Sequence, residues 1–287
     1  MSPHQIFNQH LRRQRRDRAQ PGFGAHSFLR DFMVEALLER LDLVTRPFAR
    51  ALDLGCADGS ITRALQSRGL SVTASDAGAA FARASQGVQC DEDALPFAPE
   101  SFDLILSAGV LDAVNDLPGA LIQCRRALSP DGLFLAAFVG AGSLPRLRAA
   151  LLAADEATGG AIPQRIHPQV DVRAGGDLLV RAGFVLTVAD TEMLEVGYAD
   201  PFRLMGDLRG MGATNCLAGQ QPPWLSRRRL TGLAEAFARS AGPDGRVRER
   251  FEIVFLTGWS PGPNQPQPAR RGSATASLSA ALRPPSE

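Results

Sequence analysis

Short apolar segments alternate with amphipathic segments along most of this chain. Apolar residues recur at i, i+3 and i+4 over 28–44, which predicts an amphipathic helix ahead of the first strand. Six short β-rich runs follow, with helical segments or loops between them: 51–54, 70–75, 87–90, 102–107, 133–139 and 184–189. Strands that alternate with helices predict a parallel sheet that is covered by helices on both faces.

The pattern changes after the sixth run. Two helical stretches, 200–211 and 226–240, precede a final segment, 246–259, which alternates at first and is then apolar on both sides, as in a buried strand. We therefore predict an α/β fold with a mostly parallel seven-stranded sheet and a helical insertion, about 190–245, before the last strand. Pro130, Asp131 and Gly132 predict a turn before the fifth strand.

These patterns divide the chain into three parts. An N-terminal arm and helix occupy 1–44, and one core domain with its insertion occupies 45–260. From position 261 to 287, prolines and small polar residues replace the core formers, which predicts a largely disordered tail.

Composition excludes several classes of function. Thirty-one basic and thirty acidic residues leave a net charge of +1, so there is no overall field to hold nucleic acid or an anionic membrane. The four cysteines form no C-x-x-C pair and the four histidines show no zinc-ligand spacing, which predicts a reducing compartment and no structural metal. The longest apolar run, 133–142, is half the length of a membrane span. We expect a soluble protein, cytoplasmic in a bacterium or in the mitochondrial matrix of a eukaryote.

The segment A-L-D-L-G-C-A-D-G at 51–59 carries the clearest chemical signal. An apolar strand ends there in an acid and two glycines, and a helix follows, so backbone N–H groups and the helix N-terminus are directed at a ligand. This arrangement predicts a nucleotide-cofactor site. The spacing is G-x-x-x-G, which argues against NAD or FAD, and the chain has no lysine for a Walker loop. Asp76, at the end of the second strand, can accept both hydroxyls of a ribose or can cap a turn.

Two further motifs follow the third and fourth strands, D-E-D-A-L-P-F at 91–97 and F-D-L-I-L-S-A-G-V-L at 102–111. With them, residues 45–190 resemble the class I S-adenosylmethionine-dependent methyltransferases, which implies S-adenosylmethionine as the cofactor. The resemblance implies these contacts: Asp53, Gly55, Cys56, Ala57 and Gly59 at the methionyl end, Asp76 at the ribose, Asp91 at the adenine amino group with Glu92 beside it, and Ser107 and Leu111 near the sulfonium. The family often has glycine where Ala57 stands.

The two ends of the chain carry a narrower resemblance. The segments that show this resemblance are F-N-Q-H-L-R-R-Q-R-R-D-R-A at 7–19, L-M-G-D-L-R-G-M-G-A-T-N at 204–215, F-E-I-V-F-L-T-G-W at 251–259 and G-S-A-T-A-S-L at 272–278. They resemble the methyltransferase-like complex I assembly-factor family, which implies hydroxylation of an arginine in an iron–sulfur subunit of NADH:ubiquinone oxidoreductase. Malonyl carrier-protein O-methyltransferases share the core and a similar start. The third interpretation is that the protein is an assembly factor without enzymatic activity, in which the bound cofactor has a structural role.

Methyl transfer depends mainly on placement and desolvation of the reactants, so no dedicated base is obligatory. The candidate catalytic residues are Asp112, Asp207, Arg209 and Asn215. His167 is a conceivable base, although a loop histidine without a visible carboxylate partner is more often incidental.

The insertion is expected to select the acceptor, a protein or a small molecule, with Trp224 behind two prolines as a further contact. Its helical apolar residues are expected to belong to the core: Phe202, Met205, Leu208 and Met211. The arginines at 12–18 fit a flap over the cofactor or a solvated helix face better than a nucleic-acid surface.

Overall fold

A seven-stranded sheet forms the centre of the computed structural model, which describes residues 5–158, 162–219, 225–263 and 265. Within these residues the strands are β1 (Arg50–Leu54), β2 (Ser71–Asp76), β3 (Val88–Gln89), β4 (Phe102–Ala108), β5 (Leu128–Val139), β6 (Val185–Tyr198) and β7 (Val247–Trp259). Their order in the sheet is β3-β2-β1-β4-β5-β7-β6. Strands β1 to β5 run parallel, and β7 runs antiparallel to both β5 and β6. The predicted α/β fold class is confirmed.

Helices cover both faces of this sheet. They are α1 (Gln9–Ala19), α2 (Phe28–Asp42), α3 (Ser60–Ser67), α4 (Ala79–Ala84), α5 (Leu117–Ala127), α6 (Pro145–Glu156), α7 (Val172–Arg181), α8 (Pro201–Gly210) and α9 (Arg227–Ala238). Helices α2, α3, α6 and α9 pack on one face, and α5 and α7 on the other. In β4, Leu104 and Leu106 point to the first face and Ile105 to the second, so an apolar run that does not alternate becomes a strand buried on both sides.

Two boundaries differ from the prediction. Strand β6 continues to Tyr198, and residues 190–198 pair with β7, so the helical insertion begins after Tyr198 and not at 190. Residues 185–198 lie at the edge of the sheet and are half exposed. The segment therefore has fewer apolar residues than a buried strand, and its pattern did not predict the full length of β6. Strand β5 begins at Leu128, so the predicted turn is an irregularity inside the strand, with Asp131 at a φ of 61°.

Some predicted features lie outside the described residues. These are Trp224 and nearly all of the tail predicted at 261–287. Among the helices that the structure does describe, none combines the length and the apolar character that crossing a membrane requires.

A buried arginine fastens α2 to the carboxyl edge of the sheet. The Arg30 guanidinium donates to the carbonyl oxygens of Gly55, Cys56 and Ala108 at 2.9, 2.8 and 2.6 Å. Two of these carbonyls follow β1, and the third belongs to the last residue of β4. Because a buried carbonyl that lacks a donor is costly, Arg30 fixes the turn after β1.

We expect Arg30→Met to destabilise the protein by about 3 kcal/mol, because three buried carbonyls lose a charged donor while the helix keeps a good helix former. Urea unfolding of the full chain measures this. Arg68→Ala is the control, because Arg68 pairs with Asp42 on the surface and its loss should cost about 1 kcal/mol or less. Equal losses in both variants would show that Arg30 has no such role.

Candidate active site

The loop after β1 turns sharply before α3 begins. Gly55, Ala57 and Gly59 have φ values of 80°, 44° and 75°, in the left-handed region that favours glycine. Ala57 therefore adopts, as an alanine, a conformation that costs a residue with a side chain about 1 kcal/mol. This is the physical reason that glycine suits position 57.

Asp53 lies fully buried at the base of this loop. Its Oδ2 accepts hydrogen bonds from the backbone N–H and the hydroxyl of Thr62, at 3.0 and 2.7 Å. Its Oδ1 has no hydrogen-bond partner among the described residues, and the nearest cation is Arg30, at 3.9 Å. Burial raises the pKa of Asp53, and the Arg30 charge opposes that rise. One buried acceptor thus stays available for a donor.

The other predicted cofactor acids are Asp76, at the end of β2, and Asp91 and Glu92, after β3, and α1 covers them. Arg16 binds both carboxylate oxygens of Asp76 at 2.8 and 2.5 Å. Arg12 binds both oxygens of Glu92 at 2.6 and 2.9 Å, and Arg13 pairs with Asp91. The predicted flap at 12–18 is therefore a helix whose arginines contact these acids.

Burial and hydrogen-bonded partners act in opposite directions on the pKa of Asp76. Burial alone would raise the pKa of this carboxyl group, but the Arg16 guanidinium and the backbone N–H groups of Gly78 and Ala57 outweigh burial and hold its pKa below the usual range. Asp76 is therefore an ionised carboxylate in the folded protein at neutral pH.

A cavity of about 750 Å³ opens beside this edge of the sheet, a volume typical of small-molecule sites. Residues from α2, β4, α8 and the loop at 165–169 line it. Met205, Leu208 and Met211 of the insertion are among them, and they also pack against the hydrophobic core, as expected. The fourth residue of that set, Phe202, is exposed. Helical spacing alone could not separate a core face from a cavity wall.

Polar side chains interrupt the apolar wall of the cavity at a few points. Asp112 is one of them, and burial raises the pKa of its carboxyl group. Arg15 and Arg209 are two more, and the Nη1 atom of Arg15 is buried without a hydrogen-bond partner in the described part of the chain. The wall therefore presents one carboxyl group and five guanidinium groups, of which those of Arg16, Arg30 and Arg165 already bind acids or carbonyl oxygens.

Two of the candidate catalytic residues, Asn215 and Asp207, form hydrogen bonds with residues of the cavity wall or its loop. The side-chain amide of Asn215 donates to the carbonyl oxygens of Gln164 and Arg165, both at 3.0 Å. The Oδ1 atom of Asp207 lies 2.8 Å from Nδ1 of His26. His26 also lines the cavity, and sequence reasoning missed it because its partner lies 181 residues away.

His167 is engaged by the backbone and is therefore a poor candidate for a general base. Its Nε2 accepts a hydrogen bond from the N–H of Cys216 at 2.9 Å. Burial, with help from the charges of Arg15 and Arg12, lowers the pKa of His167 to about 4. Its imidazole joins the 165–169 loop to the insertion.

Ser107 and Leu111 lie away from the cavity, although the resemblance implies positions near the sulfonium. The Ser107 hydroxyl is buried and donates to the carbonyl of Leu54 at 2.9 Å. Leu111 packs in the apolar cluster under α5. Their neighbours Ala108 and Gly109 line the cavity instead. Over the described ranges, no group of three or more His, Cys, Asp or Glu side chains is arranged to hold a metal ion.

The residue types at this edge fit S-adenosylmethionine. Asp53 keeps a buried acceptor that suits an amino group, and Asp76 ends β2, where a carboxylate can meet a ribose. The cavity begins at Ala57 and Gly109, next to these acids. In this structure, however, arginines of α1 take the acceptors of Asp76, Asp91 and Glu92.

We expect His167 to make the protein less stable as the pH falls from about 6.5 to about 4. In this window the unfolded chain binds a proton at His167 that the folded protein does not, so unfolding becomes more favourable. Urea unfolding at about pH 7.5, 5.5 and 4.5 of the wild type and His167→Gln isolates the effect, because glutamine can still accept from Cys216. Parallel pH profiles of the two proteins would contradict the assignment.

Comparison with known proteins places this geometry in a family. A family profile described as a methyltransferase domain matches residues 52–136. Among solved structures, the YcgJ protein of Bacillus subtilis has a TM-score of 0.54 at 15% identity, covering 79% of this chain and 98% of that one. At that identity the likeness shows the fold alone.

Two curated relatives match at higher identity. The mitochondrial arginine-hydroxylase NDUFAF5 of Homo sapiens is 35% identical over 284 residues, covering 95% of this chain and 82% of that protein. A malonyl-[acyl-carrier protein] O-methyltransferase of Halorhodospira halophila is 33% identical over 243 residues, covering 80% of each. The chain therefore belongs to the class I S-adenosylmethionine-dependent methyltransferase superfamily, in the family that includes arginine-hydroxylase NDUFAF5.

Proposed function

We propose that the protein is an S-adenosylmethionine-dependent enzyme that modifies an arginine side chain of a protein partner, with an iron–sulfur subunit of respiratory complex I as the first candidate. The observation that carries the proposal is the extent of the similarity to NDUFAF5 proteins, which spans 95% of the chain. At this coverage it extends beyond the core to α8, which contributes to the cavity wall. The similarity to the NDUFAF5 proteins therefore covers part of the proposed acceptor site as well as the core.

The cavity has features that suit such an acceptor. Its apolar residues, such as Leu147, Met205 and Phe251, exclude water and can surround an aliphatic side chain. Asp112 is a carboxyl group on the same wall, and it can pair with a guanidinium that enters. Pairing with a cation would favour the ionised form of Asp112, against the effect of burial.

Asp53, Asp76, Asp91 and Glu92 are proposed to hold the cofactor, with the loop from Gly55 to Gly59. When bound there, S-adenosylmethionine would supply an activated methyl group on its sulfonium. The chain's contribution is to place the acceptor against that group and to keep water away. Hydroxylation of arginine would instead require dioxygen and a two-electron reductant, so the assay has to contain both.

A second candidate function rests on a separate observation. The buried Nη1 of Arg15 has no hydrogen-bond partner in the described residues, and Arg209 adds a further guanidinium to the wall. Guanidinium groups bind carboxylates well, so the cavity also suits the free carboxylate of a malonyl thioester. The malonyl-[acyl-carrier protein] O-methyltransferase of Halorhodospira halophila makes this a specific alternative.

The assay that separates these functions presents both acceptors to the same enzyme. We expect incubation with methyl-labelled S-adenosylmethionine, dioxygen and a reductant to add either one methyl group or one oxygen to an arginine of the complex I subunit, measured by intact-mass and peptide mass spectrometry. Label on malonyl carrier protein alone would replace this proposal with the second candidate. Modification of neither, with cofactor bound, would indicate a non-enzymatic assembly factor.

Single substitutions in the cavity give a matched test. We expect Asp112→Asn to lower kcat/KM for an arginine acceptor by about ten- to a hundredfold, the range for losing a charge-assisted hydrogen bond. Arg15→Gln should do the same for a malonyl acceptor and have little effect on the arginine acceptor. Glu195→Gln, on an exposed position of β6, is the control. An unchanged kcat/KM in Asp112→Asn would remove this residue from the acceptor site.

A further inference from the structure

Helix α1 lies directly on the acids at the ends of β2 and β3. Three of its arginines, Arg12, Arg13 and Arg16, pair with three acids of that edge, Glu92, Asp91 and Asp76. Arg12 and Arg16 are buried by this contact, as are all three acids. Asp17 adds a hydrogen bond from the N–H of Ala80 at 2.8 Å, which ties the same helix to α4.

The carboxylate of Asp76 has no acceptor capacity left. Its Oδ1 accepts from Nε of Arg16 at 2.8 Å and from the N–H of Gly78 at 2.7 Å. Its Oδ2 accepts from Nη2 of Arg16 at 2.5 Å and from the N–H of Ala57 at 3.0 Å. A carboxylate has about four lone-pair sites, and all four are used here. The two hydroxyls of a ribose can bind Asp76 only if the two bonds from Arg16 are broken.

The helix also fits this position closely in shape. A Cβ atom on Gly78 would lie 2.9 Å from Cβ of Arg16 and 3.2 Å from Oδ1 of Asp17, so a glycine is what allows α1 to approach the end of β2. Gly78 has a φ of −79°, which any residue adopts, so its role is close approach and not backbone conformation. The Arg16 guanidinium lies 5.1 Å from the ring centroid of Phe81 in α4.

We propose that α1 is an autoinhibitory element that occupies the ribose and adenine side of the cofactor site, with Arg16 bound where the ribose hydroxyls would bind. The inference rests on S-adenosylmethionine as the cofactor of the proposed function. Cofactor binding requires that α1 leave Asp76, and the population of the open form therefore limits the observed affinity.

Displacement of α1 also reaches the acceptor cavity. The N-terminal end of α1 is joined to the insertion by hydrogen bonds from the N–H of Asn8 to the carbonyl of Cys216 and from the N–H of Ala218 to the carbonyl of Ile6, both 2.7 Å. Asn215, the neighbour of Cys216, lines the cavity. The same movement that frees the cofactor acids thus changes the wall that faces the acceptor.

The test measures binding of S-adenosylhomocysteine by calorimetry to the full chain and to three variants. Arg16→Gln removes the bidentate contact, and Gly78→Ala pushes α1 away without changing any charged group. We expect both variants to bind about tenfold more tightly than the wild type, because both raise the fraction of open protein. Arg18→Gln is the matched control, because Arg18 lies exposed on the same helix and should leave the affinity unchanged.

The outcomes separate this inference from the proposed function. Weaker or unchanged binding in Arg16→Gln and Gly78→Ala would overturn autoinhibition by α1, since the helix would then hold the cofactor or be neutral. Failure of all four proteins to bind S-adenosylhomocysteine would overturn the cofactor assignment itself, and the inference with it.

Trypsin provides a second measurement that needs no variant. The arginines of α1 are cleavage sites, and a helix that is displaced by the cofactor becomes a better substrate. We expect S-adenosylhomocysteine to cause a several-fold increase in the rate at which trypsin cleaves the wild-type chain at 12–18. Protection of these sites by S-adenosylhomocysteine would show that α1 closes over the cofactor, contrary to the proposal.

Discussion

Buried carboxylates at the carboxyl edge of the parallel strands impose the main constraint on this structure. A negative charge that is removed from water has to be matched by a cation or by several hydrogen bonds. Asp76 and Glu92 are matched by arginines of α1, and Asp53 by Thr62 with Arg30 of α2 nearby. Helices α1 and α2 therefore belong to the core domain, because they supply the positive charge that the sheet edge lacks.

Elements whose apolar pattern is compatible with only one type of secondary structure were predictable from the sequence. The runs that became β1 and β4 are mostly apolar and buried on both sides, and the acid and glycines at the end of β1 have few structural alternatives. By contrast, the outer half of β6 carries polar and apolar residues on both faces and is half exposed, so its apolar pattern did not predict a strand. The position of each acid on the sheet edge could be predicted, but not the partner of its charge.

The remaining site residues depend on contacts between distant parts of the chain. His26 meets Asp207, and His167 meets the backbone of Cys216, across gaps that carry no local signal. Met205, Leu208 and Met211 have the spacing of a core face, and only the tertiary arrangement turns that face toward a cavity. Periodicity shows which side of a helix is apolar, but it does not show whether protein or a ligand will cover it.

The position of β7 between β5 and β6 has a consequence for folding during synthesis. Among the described strands, β6 pairs only with β7, so it has no strand partner in this sheet until residues 247–259 have left the ribosome. The N-terminal end of α1 likewise waits for residues 216–218 before its own pairing can form. Such contacts between distant parts of a chain form slowly and leave strand edges exposed in the nascent protein. The acceptor wall is thus completed among the last steps of synthesis, after the cofactor edge of the sheet already exists.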